Sequence, residues 1–172
     1  HPNLAMSYVS DFPVKLAMNF TDNDTDPRYQ QCSGSKSAGK DFGWQQPQNV
    51  RIVPRASGGL LRRDFATSAN NQNQPGNLEI KLRSGLYLLT LNVYDPKEDT
   101  GPFNIEGPDG SLLKNIQIPQ GQYWNKSVPI HIHNNQATLK FTGKWKINAL
   151  AFQLLQREEE DFLFNKPYWN MD

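Results

Sequence analysis

From Gly85 to Pro96 the chain reads Gly-Leu-Tyr-Leu-Leu-Thr-Leu-Asn-Val-Tyr-Asp-Pro, an apolar strand with a glycine before it and a proline after it. Alternation puts Tyr87, Leu89, Leu91 and Val93 on one face and Leu86, Leu88, Thr90, Asn92 and Tyr94 on the other. Upstream, residues 77–83 alternate with period two, and the Ser84-Gly85 turn predicts that the two segments fold back as a hairpin. Residues 14–20 predict a first strand with Val14, Leu16, Met18 and Phe20 inward. Strand composition recurs at residues 49–53, 60–66, 103–105, 114–118, 128–132, 137–141 and 147–155, separated by Gly-, Pro- and Asn-containing turns. The expectation is an all-β protein, an antiparallel sandwich of about eight strands, the number a jelly roll uses.

Between these strands, residues 21–40 are rich in Asp, Ser, Gly and Gln and read as one long loop, a length that in compact domains tends to carry function. Residues 68–76 form a second polar loop. Residues 1–13 are an N-terminal extension without pattern, 14–155 the sandwich, and 156–172 a tail or linker with an acidic run followed by Phe162, Phe164, Tyr168 and Trp169. At 172 residues the chain is one domain's worth, enough for a core that needs no disulfide.

Charge narrows the partners. Eighteen Lys and Arg against 17 Asp and Glu give a net charge of +1, and no basic stripe suggests nucleic acid. One cysteine, Cys32, excludes an intrachain disulfide and a zinc site built on several thiolates. No apolar run approaches the roughly 20 residues of a membrane span, and no signal peptide is recognisable at the start. Abundant Asn and Gln with many Pro and Gly suit long polar loops on a secreted, extracellular or cell-surface sandwich.

Catalytic chemistry finds little support. The three histidines are His1, His131 and His133, and no nucleophile turn such as Gly-x-Ser-x-Gly is present, so the expectation is a protein that is not an enzyme. His131 and His133 share a strand face but lack a third ligand at a telling distance. His1 would chelate copper only as a true mature N-terminus. Asp22, Asp24 and Asp26 space three carboxylates at i, i+2 and i+4, hard donors suited to calcium, against the plainer reading of an acidic, water-facing turn. Asn19, Asn23 and Asn125 begin N-glycosylation acceptor triplets, which an Asn-rich chain also produces by chance. Aromatic residues in polar surroundings carry more: Trp44, Tyr123-Trp124 and Trp145 offer flat apolar faces beside hydrogen-bonding groups, as a sugar ring requires, although each tryptophan can equally cap the core.

In order along the chain, residues 14–20, Lys40-Asp-Phe-Gly-Trp44, Leu60-Leu-Arg-Arg-Asp-Phe65, Gly85 to Asp95 and Ile147-Asn-Ala-Leu-Ala-Phe152 resemble the N-terminal β-sandwich module of rhamnogalacturonan acetylesterase-type polysaccharide-degrading enzymes, and more distantly malectin-like domains. The resemblance covers residues 14–155 and implies a galactose-binding-like jelly roll with sugar contacts from loop tips or one sheet face. The function expected is a non-catalytic carbohydrate-binding module that holds an adjacent catalytic domain, or a cell-surface assembly, on a polysaccharide or oligosaccharide. Trp44, Trp124 and Trp145 would stack, and Arg51, Arg62, Asp64, Asp95 and Asn125 would meet hydroxyls or uronates. The alternative is a structural or interaction sandwich packed on a partner domain, and it predicts buried tryptophans. One stacked aromatic face contributes roughly 1.5 to 3 kcal/mol, so one or two give micromolar to millimolar affinity and leave the polymer's avidity to do the rest.

Overall fold

A computed structural model describes residues 12–23, 25–33, 41–55, 59–71 and 73–157. The strands are β1 (Val14–Phe20), β2 (Gln30–Cys32), β3 (Phe42–Trp44), β4 (Val50–Pro54), β5 (Asp64–Ser68), β6 (Gly76–Lys81), β7 (Gly85–Val93), β8 (Thr100–Gly107), β9 (Gly110–Ile118), β10 (Trp124–Ile132), β11 (Gln136–Gly143), β12 (Lys146–Ile147) and β13 (Ala149–Arg157), with one α-helical turn, α1 (Leu60–Arg63), and two short 3-10 turns, Pro47–Asn49 and Ala69–Asn71. They form a five-stranded sheet ordered β10-β7-β13-β1-β2, a second ordered β3-β6-β11-β8-β9, and a small sheet ordered β12-β5-β4. The fold is a predominantly antiparallel β-sandwich; β1 and β2 pair in parallel.

The alternation in β7 is realised: Tyr87, Leu89, Leu91 and Val93 are fully buried. They meet Leu78 and Ile80 of β6, Phe103 and Ile105 of β8 and Leu139 and Phe141 of β11 in one continuous core. β6 and β7 do not form the expected hairpin. β6 pairs with β3 and β11, whereas β7 pairs with β10 and β13, so residues 82–84 arch from one sheet to the other. Asn135 holds the arch, accepting from the Ser84 amide at 2.9 Å. The arch is favoured because both strands carry a full apolar face, and those faces are covered only when opposed across the sandwich.

Two further expectations change. Val14 is exposed, while Ala17 and Asn19 join Leu16, Met18 and Phe20 in being buried, because β1 is an interior strand covered on both faces toward its end. The loop expected at 21–40 contains β2, which docks Gln30, Gln31 and Cys32 beside Met18, Asn19 and Phe20. Burial pushes the Cys32 thiol up to about 12, so it stays protonated and inert. The 156–172 tail beyond Arg157, the first eleven residues and Asp24 lie outside the described residues.

One pole of the sandwich gathers the ends of β1, β7, β9 and β11 and the starts of β6, β8, β10 and β13, as the pairings Asn19 with Ala149, Val93 with Trp124, Phe141 with Gly76 and Thr100 with Ile118 require. The small sheet and the turns 94–99 and 119–123 crown this pole. Beneath them Trp44, Trp145, Phe141 and Phe20 form an aromatic knot with ring centroids 5.4 to 6.0 Å apart. Gly76 lets the knot close: a Cβ there would lie 2.6 Å from the Trp145 ring and 3.0 Å from that of Trp44. Gly76→Ala is expected to destabilise the protein by about 1–3 kcal/mol through overpacking, read as a lower denaturation midpoint. An unchanged midpoint would mean that the knot has slack.

Candidate functional site

The crowned pole is where the polar chemistry converges. At its centre stands Asp95, 2% exposed. Arg55 grips its carboxylate through Nε at 3.0 Å and Nη2 at 3.3 Å, Lys146 donates Nζ to Oδ2 at 2.6 Å, and the Lys97 amide donates to Oδ1 at 2.9 Å. Its own carbonyl accepts the Gly121 amide at 2.8 Å, so one residue ties together β4, β12 and both turns. Burial raises the Asp95 pKa, but the hydrogen bonds from Arg55 and Lys146 outweigh it and hold the carboxyl below its ordinary value. Arg55 and Lys146 also lie over the Phe65 ring, 5.2 and 5.3 Å from its centroid.

Above this knot the small sheet opens a cleft of about 480 Å³ lined by Arg51, Arg55, Thr67, Ser68, Asn73, Glu98, Asp99, Lys144 and Lys146 over Val53 and Phe65. The register explains the lining: Arg51 pairs with Thr67, Thr67 with Lys146, and Val53 with Phe65, so these side chains project as rows from one sheet face. Cations and anions stand on the same walls. This donor and acceptor mixture suits a polyhydroxylated or acidic small ligand better than an apolar one.

Beside the cleft, on the outer face of the β10-β7-β13-β1-β2 sheet, lies a second polar cluster. Arg62, exposed on α1, places its guanidinium 4.0 Å from the Tyr123 ring centroid and 5.9 Å from that of Tyr94. The Tyr123 hydroxyl and the Asn125 amide both donate to Asn92 Oδ1, at 2.9 and 2.7 Å. Asn125, Asn92, Ala149, Asn19 and Gln31 form one transverse row across the sheet. Asn148 closes the corner, accepting from the Tyr94 amide and donating to the carbonyls of Asp64 and Tyr94.

Of the residues expected to bind ligand, Arg51, Arg62 and Asn125 are exposed at this pole. Trp44 and Trp145 are a correction. Trp44 is 2% and Trp145 0% exposed, both in the aromatic knot, and Trp145 donates Nε1 to the Gln74 carbonyl at 2.9 Å. Trp124 is half-buried, opposite inward-facing Val93 and edge-on to Phe103 at 6.2 Å. The polar sequence neighbours of Trp44 and Trp145 occupy the strand ends and turns that enclose them, so neither offers an outward face for stacking. Asp64 and Asp95 are likewise buried and make internal contacts instead of lining the surface. Arg55, Lys144, Lys146, Asn92 and Tyr94 were not anticipated, although outward alternation in β7 already marked Asn92 and Tyr94.

Asp26 is engaged by its neighbour Arg28 at 2.8 and 3.0 Å, which holds the Asp26 carboxyl down at about 2, so that carboxylate is committed to a cation of the chain itself. His131 and His133 stack at 4.5 Å at the opposite pole, and His133 contacts Asp109 at 3.0 Å. No group of three or more His, Cys, Asp or Glu suited to a metal occurs among the described residues. The Asn19 triplet begins with a wholly buried amide, out of reach of glycosylation in the folded chain.

No protein-family model matches the sequence, and no curated protein matches it. Solved structures share the fold. The YxiM protein of Bacillus subtilis superposes with a TM-score of 0.67 at 18% identity, covering 85% of this chain and 41% of that one. The plant receptor FER, in complex with the peptide RALF23 and LLG2, gives 0.60 at 14%, covering 84% and 41%. A calcium-binding mutant of Bacteroides uniformis β-glucuronidase 2 gives 0.61 at 12%, covering 81% and 18%. The chain thus spans less than half of each neighbour.

Because the folded Asp95 pKa lies below that of an unfolded aspartate, its contribution is complete above about pH 4 and is lost as pH falls through the folded value. Asp95→Asn is expected to cost about 3–5 kcal/mol at pH 7 by leaving Arg55 and Lys146 uncompensated. It should also flatten the acid limb of the stability–pH profile below pH 4, measured by urea unfolding across pH. An acid limb as steep as wild type would show that other carboxylates set it.

Proposed function

We propose that this sandwich is a non-catalytic carbohydrate-binding module, and that its glycan sits in the cleft over β4, β5 and β12. The observation that carries the reading is the cleft itself: about 480 Å³, with Arg51, Thr67, Ser68, Asn73 and Lys144 converging from several elements on a floor fixed by Asp95. Volume of that order accommodates one or two sugar rings. The glycan is a polysaccharide or oligosaccharide, and the module is a secreted or cell-surface one that works beside a catalytic or partner domain. A sandwich of this shape recurring as 18% of a β-glucuronidase chain supports that setting.

With Trp44 and Trp145 enclosed, recognition shifts from stacking toward hydrogen bonding and charge. Each neutral hydrogen bond contributes about 0.5–1.5 kcal/mol, so a single site binds weakly and repeated contact with a polymer supplies avidity. The burial of Trp44 and Trp145 is the specific observation that favours a second reading, a sandwich that packs on a partner domain without binding sugar.

Affinity electrophoresis and calorimetry against pectins, galactans, xylans and β-glucans separate the two. The binding reading expects retention by at least one polymer and a loss of about 5- to 30-fold in Arg51→Ala and Lys144→Ala, each removing about 1–2 kcal/mol without unfolding the protein. Failure of every polymer to retard the folded wild-type protein would transfer the assignment to the structural module.

A further inference from the structure

Two buried side chains at the junction of β1 and α1 each leave an oxygen without a partner. Asp64 is 1% and Asn19 0% exposed, and neither Asp64 Oδ1 nor Asn19 Oδ1 meets a hydrogen-bond donor. Their remaining atoms are spoken for. Asp64 Oδ2 accepts from the Thr21 hydroxyl and from Asn23 Nδ2 at 3.3 Å, and Asn19 Nδ2 donates to the Leu60 carbonyl at 3.4 Å. Asn19, on β1, and Thr21, one residue past the end of β1, are two apart in an extended run and lie on the same side of it. Asp64 follows α1, whose first residue supplies the carbonyl that holds Asn19. Both orphan oxygens therefore belong to one junction.

Charge makes the junction unusual. Among the described residues Arg55 and Lys146 pair with Asp95 and Arg28 with Asp26, and no Lys, Arg or His forms an ion pair with Asp64. A buried carboxylate without a counter-charge is strongly unfavourable, and native proteins pair it or give it a metal. We propose that Asp64 and Asn19 bind a hard cation, calcium by the chemistry of the donors. Carboxylate and amide oxygens without nitrogen or sulfur select calcium over zinc or copper. This places the cation away from Asp26, which Arg28 already neutralises. The ion would pin α1 to the end of β1, and α1 carries Arg62 over Tyr123. The inference stands independently of glycan binding.

Calorimetric titration of EDTA-treated, dialysed wild-type protein with calcium chloride and with magnesium chloride, alongside thermal unfolding, tests it. One saturable calcium site is expected, with a rise in Tm that magnesium does not reproduce. Asp64→Asn should abolish both responses, Asn19→Ala should weaken calcium binding at least tenfold, and the Asp22→Asn/Asp26→Asn double variant should leave it unchanged. Near-UV circular dichroism identifies any variant that fails to fold, and Asn19→Ala then decides alone. Absence of calcium heat and of a Tm shift in wild type overturns the proposal. So does binding that survives Asn19→Ala and Asp64→Asn but vanishes in the double variant, since that assigns the ion to the acidic turn.

Discussion

A buried carboxylate must be neutralised, and the way this chain neutralises Asp95 organises everything at the crowned pole. Arg55 comes from the end of the β4–β5 ribbon and Lys146 from β12, while the Lys97 and Gly121 amides come from the two flanking turns. Three segments distant in sequence, and the turn that carries Asp95 itself, thus converge on one residue just after β7. The cleft exists because these partners stand up from the small sheet instead of collapsing onto the core. Phe65 is sealed beneath their cationic heads, which keeps the apolar floor dry.

Below this polar layer the aromatic knot of Trp44, Phe141, Trp145 and Phe20 fills the space where the two sheets part. Packing and polarity are divided by height: rings close the core, and charged groups held by Asp95 face solvent. That division explains why Trp44 and Trp145, each beside polar residues in sequence, lie inside the core. The glycan-binding reading consequently rests on Arg51, Thr67, Ser68, Asn73 and Lys144 and on the cluster around Arg62 and Tyr123.

Elements governed by local alternation were legible in the sequence. β1 and β7 fall within the expected segments, and the inward and outward faces of β7 are as alternation dictates. What alternation does not encode is the partner of each strand. The arch at 82–84 joins two strands that look like a hairpin, since period two is identical whether faces lie side by side or opposed. β2 was hidden because Gln30-Gln31-Cys32 has no apolar alternation and pairs only through backbone beside β1. α1 was hidden too, a single turn in a segment that reads as strand. At the site, exposure of Arg51, Arg62 and Asn125 followed from their charge or polarity, whereas the burial of Asp64, Asp95 and Trp145 depended on contacts 40 to 84 residues away in sequence and had no local signature.

The most direct test of the pole as the binding surface is a heteronuclear NMR titration of the isotope-labelled protein with an oligosaccharide from whichever polymer binds, following every backbone amide. Saturable shifts concentrated at residues 51, 67, 68, 73 and 144, with Ser84 and Asn135 at the far pole silent, are the predicted result. Shifts centred on the far pole, or none at saturating oligosaccharide, would contradict the account.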